Sequence, residues 1–325
     1  MIVVTGGAGF IGSGVVRCLN DRGIEDIIIV DNIAQSDKWR NMSNKKYIAY
    51  YNRNEFLECL PELSGKVTHI FHLGACSSTT ERDFDFLYKN NFEYTKKLWR
   101  FCAQNNASFI YASSAATYGN GEMGFDDKAD IDGYLPLNGY GYSKQLFDIW
   151  AQKEQKAGNK VPPQHAGLKF FNVYGPNEYF KGSMASVILH GFKKVKESGR
   201  IELFKSYKEG YEDGGQLRDF VYVKDVCNVM MFLMDNPSVS GLFNVGTGKA
   251  RSFYDLAVSV FKALDLEPNI EFIEMPETLR EKYQYYTEAK MQKLRQAGYN
   301  EPFHSLEDGA ADYVQNYLDK GMLIW

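Results

Sequence analysis

Cysteine is scarce in this chain: five occur in 325 residues, at Cys18, Cys59, Cys76, Cys102 and Cys227. Their odd number and wide spacing exclude a disulfide framework and a zinc-ligand pattern, so a reducing compartment and no metal are expected. Long apolar runs are missing too. No stretch reaches the about 18 apolar residues that a membrane-spanning helix needs, so no membrane partner is expected. The apolar start is interrupted by Gly6-Gly7 too early for a signal peptide. A cytoplasmic location is the expectation. An excess of positive charge is also absent. With 37 Lys and Arg against 41 Asp and Glu, the formal net charge is −4, which argues against a nucleic-acid partner. Repeats and low-complexity tracts are lacking. What is present is a chain with 44% hydrophobic residues, enough for one large domain or two modest ones.

Strand-like and helix-like segments alternate from the first residue. Residues 2–5, 26–31, 68–73, 108–112 and 167–173 read as buried strands. Stretches 10–21, 84–105 and 137–155 between them have helix length. Apolar strands separated by helices imply a parallel sheet covered on both faces. Past Gly175 the elements shorten. Residues 205–216, polar and rich in Gly and Tyr, read as a loop, while 217–223 and 242–245 read as strands. Some of these later strands are expected to return to the first sheet. The expected class is α/β: a Rossmann-type doubly wound parallel sheet with a smaller, discontinuous α/β substrate domain. The first takes residues 1–175 with segments of about 217–250, and the second takes 176–216 and 251–325.

Gly7-x-Gly9-x-x-Gly12 sits between a strand and a helix, and Gly6, Gly9 and Gly12 give the wider G-x-x-G-x-x-G spacing. Glycines permit the tight turn and let backbone N–H groups approach a pyrophosphate at the helix N-terminus. Asp31 ends the next strand, where an acid binds an adenosine ribose hydroxyl. Its charge favours NAD by repelling a 2′-phosphate. Lys38 and Arg53 lie downstream, where cations offset that repulsion, so both NAD and NADP stay open.

Tyr140 and Lys144 stand four residues apart, on one face of a helix. An ammonium beside a phenol favours the phenolate, so the expected Tyr140 pKa lies below about 10. Such a tyrosine exchanges a proton with a sugar hydroxyl near neutral pH. Ser113-Ser114 follows the fourth expected strand, whose C-terminal end faces the cofactor crevice. Ser114 is the candidate to hydrogen-bond a substrate oxygen; a turn-capping serine is the plainer reading. Cys76 is read as a packed small residue rather than a nucleophile. For the apolar end Met322-Leu323-Ile324-Trp325, docking and fraying are equally open.

The ordered set Thr5-Gly6-Gly7-Ala8-Gly9-Phe10-Ile11-Gly12, Asp31-Asn32, Ser113-Ser114 and Tyr140-x-x-x-Lys144 resembles the extended short-chain dehydrogenase/reductase superfamily. Two segments are more specific: Gly74-Ala75-Cys76-Ser77-Ser78-Thr79-Thr80-Glu81, and Phe171-Asn172-Val173-Tyr174-Gly175-Pro176 leading to Lys181-Gly182-Ser183-Met184. Both resemble the ADP-heptose 6-epimerase family of that superfamily, and the likeness runs nearly end to end. The resemblance implies oxidation at C6 of an ADP-activated heptose to a 6-keto intermediate and re-reduction from the other face with bound NADP. It implies a role in lipopolysaccharide core precursor synthesis and a homo-oligomer, often a pentamer.

By the same matching, Tyr140 and Lys181 are the two proton-transfer groups, with Lys144 and Ser114 in support. Taken without the resemblance, Lys181 reads as an exposed loop lysine. The matching carries Gly6, Gly9, Phe10, Ile11, Gly12, Asp31, Asn32, Lys38, Arg53, Leu73, Gly74, Ala75, Cys76, Ser77, Asn90, Lys144, Val173 and Lys181 over as cofactor contacts. It places Ser114, Asn172, Ser183, His190, Phe204, Lys205, Ser206, Tyr207, Arg218 and Tyr283 around the substrate, with Arg218 suited to a diphosphate. Leu73 replaces a glutamate of some relatives, and Arg53 a lysine. A UDP-hexose 4-epimerase shares the tyrosine–lysine pair and is the alternative. Ala115 and Ala116, where sugar 4,6-dehydratases carry Asp-Glu, count against elimination. Intact Tyr140 and Lys144 count against a non-catalytic dinucleotide sensor.

Overall fold

Apolar runs too short for helices form the strands, and amphipathic stretches between them form the covering helices. In chain order these are β1 (Ile2–Thr5), α1 (Phe10–Asp21), β2 (Ile27–Asp31), β3 (Ala49–Asn52), α2 (Arg53–Cys59), β4 (His69–His72), α3 (Phe84–Leu87), α4 (Tyr94–Asn105), β5 (Ser108–Ser114), α5 (Gly139–Lys156) and β6 (His165–Phe170). Then come β7 (Asn172–Tyr174), α6 (Val187–Ser198), β8 (Ile201–Phe204), β9 (Leu217–Tyr222), α7 (Val223–Asp235), β10 (Gly241–Val245), β11 (Ala250–Ser252), α8 (Phe253–Ala263) and β12 (Ile270–Ile273), with short helices beyond. This computed structural model describes residues 1–280 and 283–325, Thr278 by its backbone alone.

Seven strands form one parallel sheet in the order β10-β6-β5-β4-β1-β2-β3. The chain walks from β1 to β3 in one direction, then crosses to β4 and continues the other way. The carboxyl ends of β1 and β4 therefore flank a topological switch point, where open α/β sheets place their ligands. Every residue of β1 and β2 is buried, as expected for strands covered on both faces.

Two expectations need refining. The run 167–173 is not one strand: β6 ends at Phe170, and Phe171 separates it from β7. The next residues, β7, leave for a second sheet ordered β11-β9-β7. So β10 returns to the first sheet, whereas β9 pairs with β7 and β11 instead. The stretch 84–105 is helical throughout, but a π-helical turn, Tyr88–Glu93, separates α3 from α4.

The apolar tail docks. The Trp325 N–H donates to Asn177 Oδ1 at 2.8 Å, and the Tyr179 hydroxyl donates to the Leu323 carbonyl at 2.8 Å. Gly14 makes room for the indole, since a Cβ there would lie 2.7 Å from the ring. No helix among the described residues is long and apolar enough to cross a membrane.

Candidate active site

A cavity of about 950 Å³ opens at the switch point. One wall is the glycine turn after β1. Gly6 sits at φ +69°, where a Cβ would lie 2.6 Å from the Gly74 nitrogen, and a Cβ on Gly12 would lie 2.1 Å from the Gly6 carbonyl oxygen. The turns after β1 and β4 therefore touch through bare backbone, and side chains would fill the cradle. No side chain caps α1, so its first N–H groups face the cavity end.

At the edge of this wall the Asp31 carboxylate takes three donors. Oδ2 accepts from the Ala8 N–H at 3.0 Å, while Oδ1 accepts from the Asn32 N–H at 2.7 Å and from Lys38 Nζ at 2.8 Å. The acid is thus already paired with a cation. Arg53 donates to the Asn90 side chain, which fixes a second cation on the same side.

The turn 73–77 is held by Asn91, which lies in the π-helical turn. Its Oδ1 accepts from the Cys76 N–H at 2.8 Å, and its Nδ2 donates to the Cys76 carbonyl at 2.9 Å and to Ser143 Oγ at 3.0 Å. Asn91 thereby ties the cofactor-side turn to α5. Sequence reasoning selected its neighbour Asn90 and passed over Asn91. The legible signal was a pair of asparagines inside a helical run.

On α5, Asn138 caps the helix by accepting from the Gly141 N–H at 2.9 Å, which orients the first turn. Tyr140 and Lys144 both line the cavity. Their electrostatics differ from the expectation. Lys144 donates to the Ala112 carbonyl at 2.9 Å, and burial pushes its pKa down to about 8 against the opposing charge of Asp148. Burial raises the Tyr140 pKa, and the Ser114 hydroxyl only partly offsets this. Desolvation sets the direction of the shift, so in this state the phenol holds its proton. Ser114 Oγ also accepts from the Ala116 N–H at 3.1 Å, which leaves its own proton free to donate. Ser113 points the other way, into the Asp148 carboxylate.

Lys181 enters the cavity from the loop after β7, its Nζ 5.2 Å from the centroid of the Phe10 ring. Burial lowers its pKa, and Glu178 opposes that shift. Glu178 closes the loop from beneath. Its buried carboxylate accepts from the Ser186 N–H and Oγ, each at 2.6 Å, and from the Gly175 N–H at 3.3 Å. Nothing in the local sequence marked Glu178, because its partners lie across a folded loop.

The far end is lined by Asn172, Phe180, Arg218, Gln284 and Thr287. Arg218 lies between the rings of Phe253 and Tyr283, 5.7 and 5.4 Å from their centroids, and donates to the Leu217 carbonyl at 2.8 Å.

All the expected cofactor residues line the cavity, as do Ser114, Asn172 and Arg218. Other expected substrate residues do not. Ser183 is exposed, and His190 sits on the solvent face of α6. Lys205 pairs with Glu274 at 2.7 Å, and Ser206 Oγ donates to the Lys208 carbonyl at 3.1 Å. The Tyr207 ring lies 3.8 Å below the Arg280 guanidinium. Phe204 and Tyr283 meet edge to face at 6.2 Å and form a layer behind Arg218 rather than the wall itself.

A glycine cradle at a switch point, with half-buried Tyr140 and buried Lys144 lining the same cavity, is the arrangement of a dinucleotide-dependent enzyme. The chain belongs to the NAD dependent epimerase/dehydratase family, whose model matches residues 2–246. Its site is therefore that of a nicotinamide dinucleotide. The ADP-L-glycero-D-manno-heptose-6-epimerase of Fusobacterium nucleatum is 53% identical over 331 residues, covering 98% of each chain. That of Nitratidesulfovibrio vulgaris is 53% identical over 321 residues, again with 98% of each covered. The crystal structure of Helicobacter pylori ADP-L-glycero-D-manno-heptose-6-epimerase matches with a TM-score of 0.80 at 28% identity, covering 97% of this chain and 95% of that one.

Proposed function

We propose that this chain is an isomerase that interconverts ADP-D-glycero-D-manno-heptose and ADP-L-glycero-D-manno-heptose at C6. Near-full-length identity to enzymes of that name supports the substrate. The observation that carries the chemistry is that Tyr140 and Lys181, from separate elements, line one cavity. Inverting a carbinol centre through a carbonyl needs proton transfer on two faces, hence two groups. When bound, the nicotinamide supplies a hydride acceptor and donor. The glycine turn, Asp31, Lys38, Arg53 and the turn 73–77 hold it.

Burial drives both proton-transfer groups towards their neutral forms. In its neutral form Lys181 takes the C6 hydroxyl proton, the Tyr140 phenol donates one to the C6 carbonyl oxygen from the other side, and both groups then re-equilibrate with solvent. In the reverse direction the two exchange roles. Lys144 fixes the first turn of α5 against β5, and Ser114 offers its hydroxyl proton to the same oxygen. Lys38 neutralises Asp31, which supports NADP as the cofactor. In this reading residues 1–175 with 217–250 hold the dinucleotide, and 176–216 with 251–325 hold the heptose. Its product is a precursor of lipopolysaccharide core, made by a cytoplasmic homo-oligomer.

Proton NMR of the C6 configuration tests this. The purified protein brings either heptose epimer to equilibrium, and Tyr140→Phe or Lys181→Met slows this by about 10²–10⁴-fold. No interconversion by folded, cofactor-loaded protein, or UDP-galactose turnover at a comparable rate, rejects the reading. Mass analysis of released cofactor distinguishes NADP from NAD.

A further inference from the structure

A charged pair unused by the chemistry above lies behind Lys144. Tyr140, Lys144 and Asp148 recur every fourth residue along α5, so Asp148 follows Lys144 on the same face. Asp148 and Lys169 are both fully buried and meet at 2.8 Å. The Asp148 carboxylate also accepts from the Tyr111 hydroxyl at 2.9 Å and from Ser113 Oγ at 2.6 Å. Tyr111 and Ser113 flank Ala112, whose carbonyl anchors Lys144. Lys169 Nζ donates to Thr117 Oγ1 at 2.7 Å, and Thr117 Oγ1 donates to the Ser114 carbonyl at 2.8 Å. One ion pair thus grips the strand on both sides of the Lys144 anchor and reaches the backbone of Ser114.

Replacing a buried ion pair with apolar residues is often neutral for stability or better, so burial here is weak grounds for a purely stabilising role. We infer that the Asp148–Lys169 pair is a positioning device for the proton-transfer site, setting the register of α5 against β5 so that Lys144 meets Ala112 and Ser114 meets Tyr140. The inference rests on the site reading in the preceding section. The ionisable groups around Lys144 are Tyr140 and Asp148 on α5, His72 at the end of β4 and Cys76 in the following turn. Beyond Asp148 lie Tyr111 and Lys169. Of these, Asp148 and Cys76 favour the charged ammonium.

The test compares Asp148→Asn/Lys169→Met, which removes both charges and keeps an oxygen for Tyr111, with Ser113→Ala, which keeps every charge and removes one grip on β5. The expected result for the double variant is cooperative unfolding and wild-type cofactor retention, with kcat lowered about tenfold at unchanged KM. Its alkaline pH–rate limb moves to lower pH, because the Lys144 ammonium has lost the Asp148 charge. Ser113→Ala, expected to fold normally, loses about threefold in kcat with the wild-type pH profile. A folded double variant with wild-type kcat and pH profile overturns the inference. So does full kcat in Ser113→Ala, whether or not the double variant folds. Tyr140→Phe is assayed alongside: activity retained there removes the parent reading, whereas activity lost there but kept in the other two removes the positioning role alone.

Discussion

His72 makes the stability of this fold depend on pH in a way that can be worked out in advance. It ends β4, directly before the cofactor-side turn, and is buried. Its Nδ1 meets Thr5 Oγ1 at 2.6 Å and its Nε2 meets Thr95 Oγ1 at 2.8 Å. The Thr95 hydroxyl proton is committed to the Asn91 carbonyl, so Nε2 carries the ring proton and Nδ1 accepts from Thr5. Burial, with the Lys144 ammonium adding to it, pushes the His72 pKa from 6.5 down to about 3. A depressed pKa in the folded state means that the unfolded chain binds the proton first. The stabilisation is complete above about pH 6.5 and is lost as pH falls towards 3. At pH 4.5 two units have been traversed at about 1.4 kcal/mol each, a loss of roughly 2.7 kcal/mol.

Buried Glu178, Asp219 and Asp225 have raised pKa values and gain stability on acidification, with the opposite sign. Raw pH curves therefore mix the two effects, and the assay must be a difference. Urea unfolding of the wild type and of His72→Gln at pH 7.5 and 4.5 supplies it, since glutamine hydrogen-bonds without titrating. The wild type is expected to lose roughly 2.7 kcal/mol more than the variant over that interval. Equal losses in the two proteins refute the reasoning, since His72 would then carry no depressed pKa.

Lys38→Ala leaves the Asp31 carboxylate without its cation and is expected to raise the Kd for NADP about tenfold while changing that for NAD far less, read by fluorescence titration. Gly12→Ala forces a methyl against the Gly6 carbonyl, and isothermal calorimetry is expected to show dinucleotide binding lost even where the fold survives. Asp219→Ala strips the acceptor from the Thr247, Gly248 and Ala289 N–H groups, so denaturant unfolding should show roughly 3 kcal/mol or more lost.

The dinucleotide half was legible because its signals are local. The glycine turn, Asp31 at a strand end and the Tyr140–Lys144 spacing each depend on neighbours within one element or one turn. Periodicity alone identified β1, β2, β4 and β5, and the likeness of residues 171–184 to known epimerases drew attention to Lys181. The substrate side was less legible. Ser183, His190 and residues 204–207 were expected around the substrate, yet Ser183 and His190 are exposed, and Lys205 and Tyr207 turn to Glu274 and Arg280 in the chain after β12. Sequence spacing does not encode that.

The amino-acid order by itself determined the α/β class, the glycine cradle and the candidate Tyr140–Lys144 pair. Those features follow from backbone sterics and from residues a few positions apart. Tertiary structure decided which way those groups titrate: burial, not the adjacent lysine, sets the Tyr140 phenol, and burial lowers Lys181. It also assigned Asn91, Glu178 and the Asp148–Lys169 pair their places beneath the site. The reason is physical: desolvation and buried hydrogen bonds are sums over everything packed around an atom, and that packing exists only after distant segments have met.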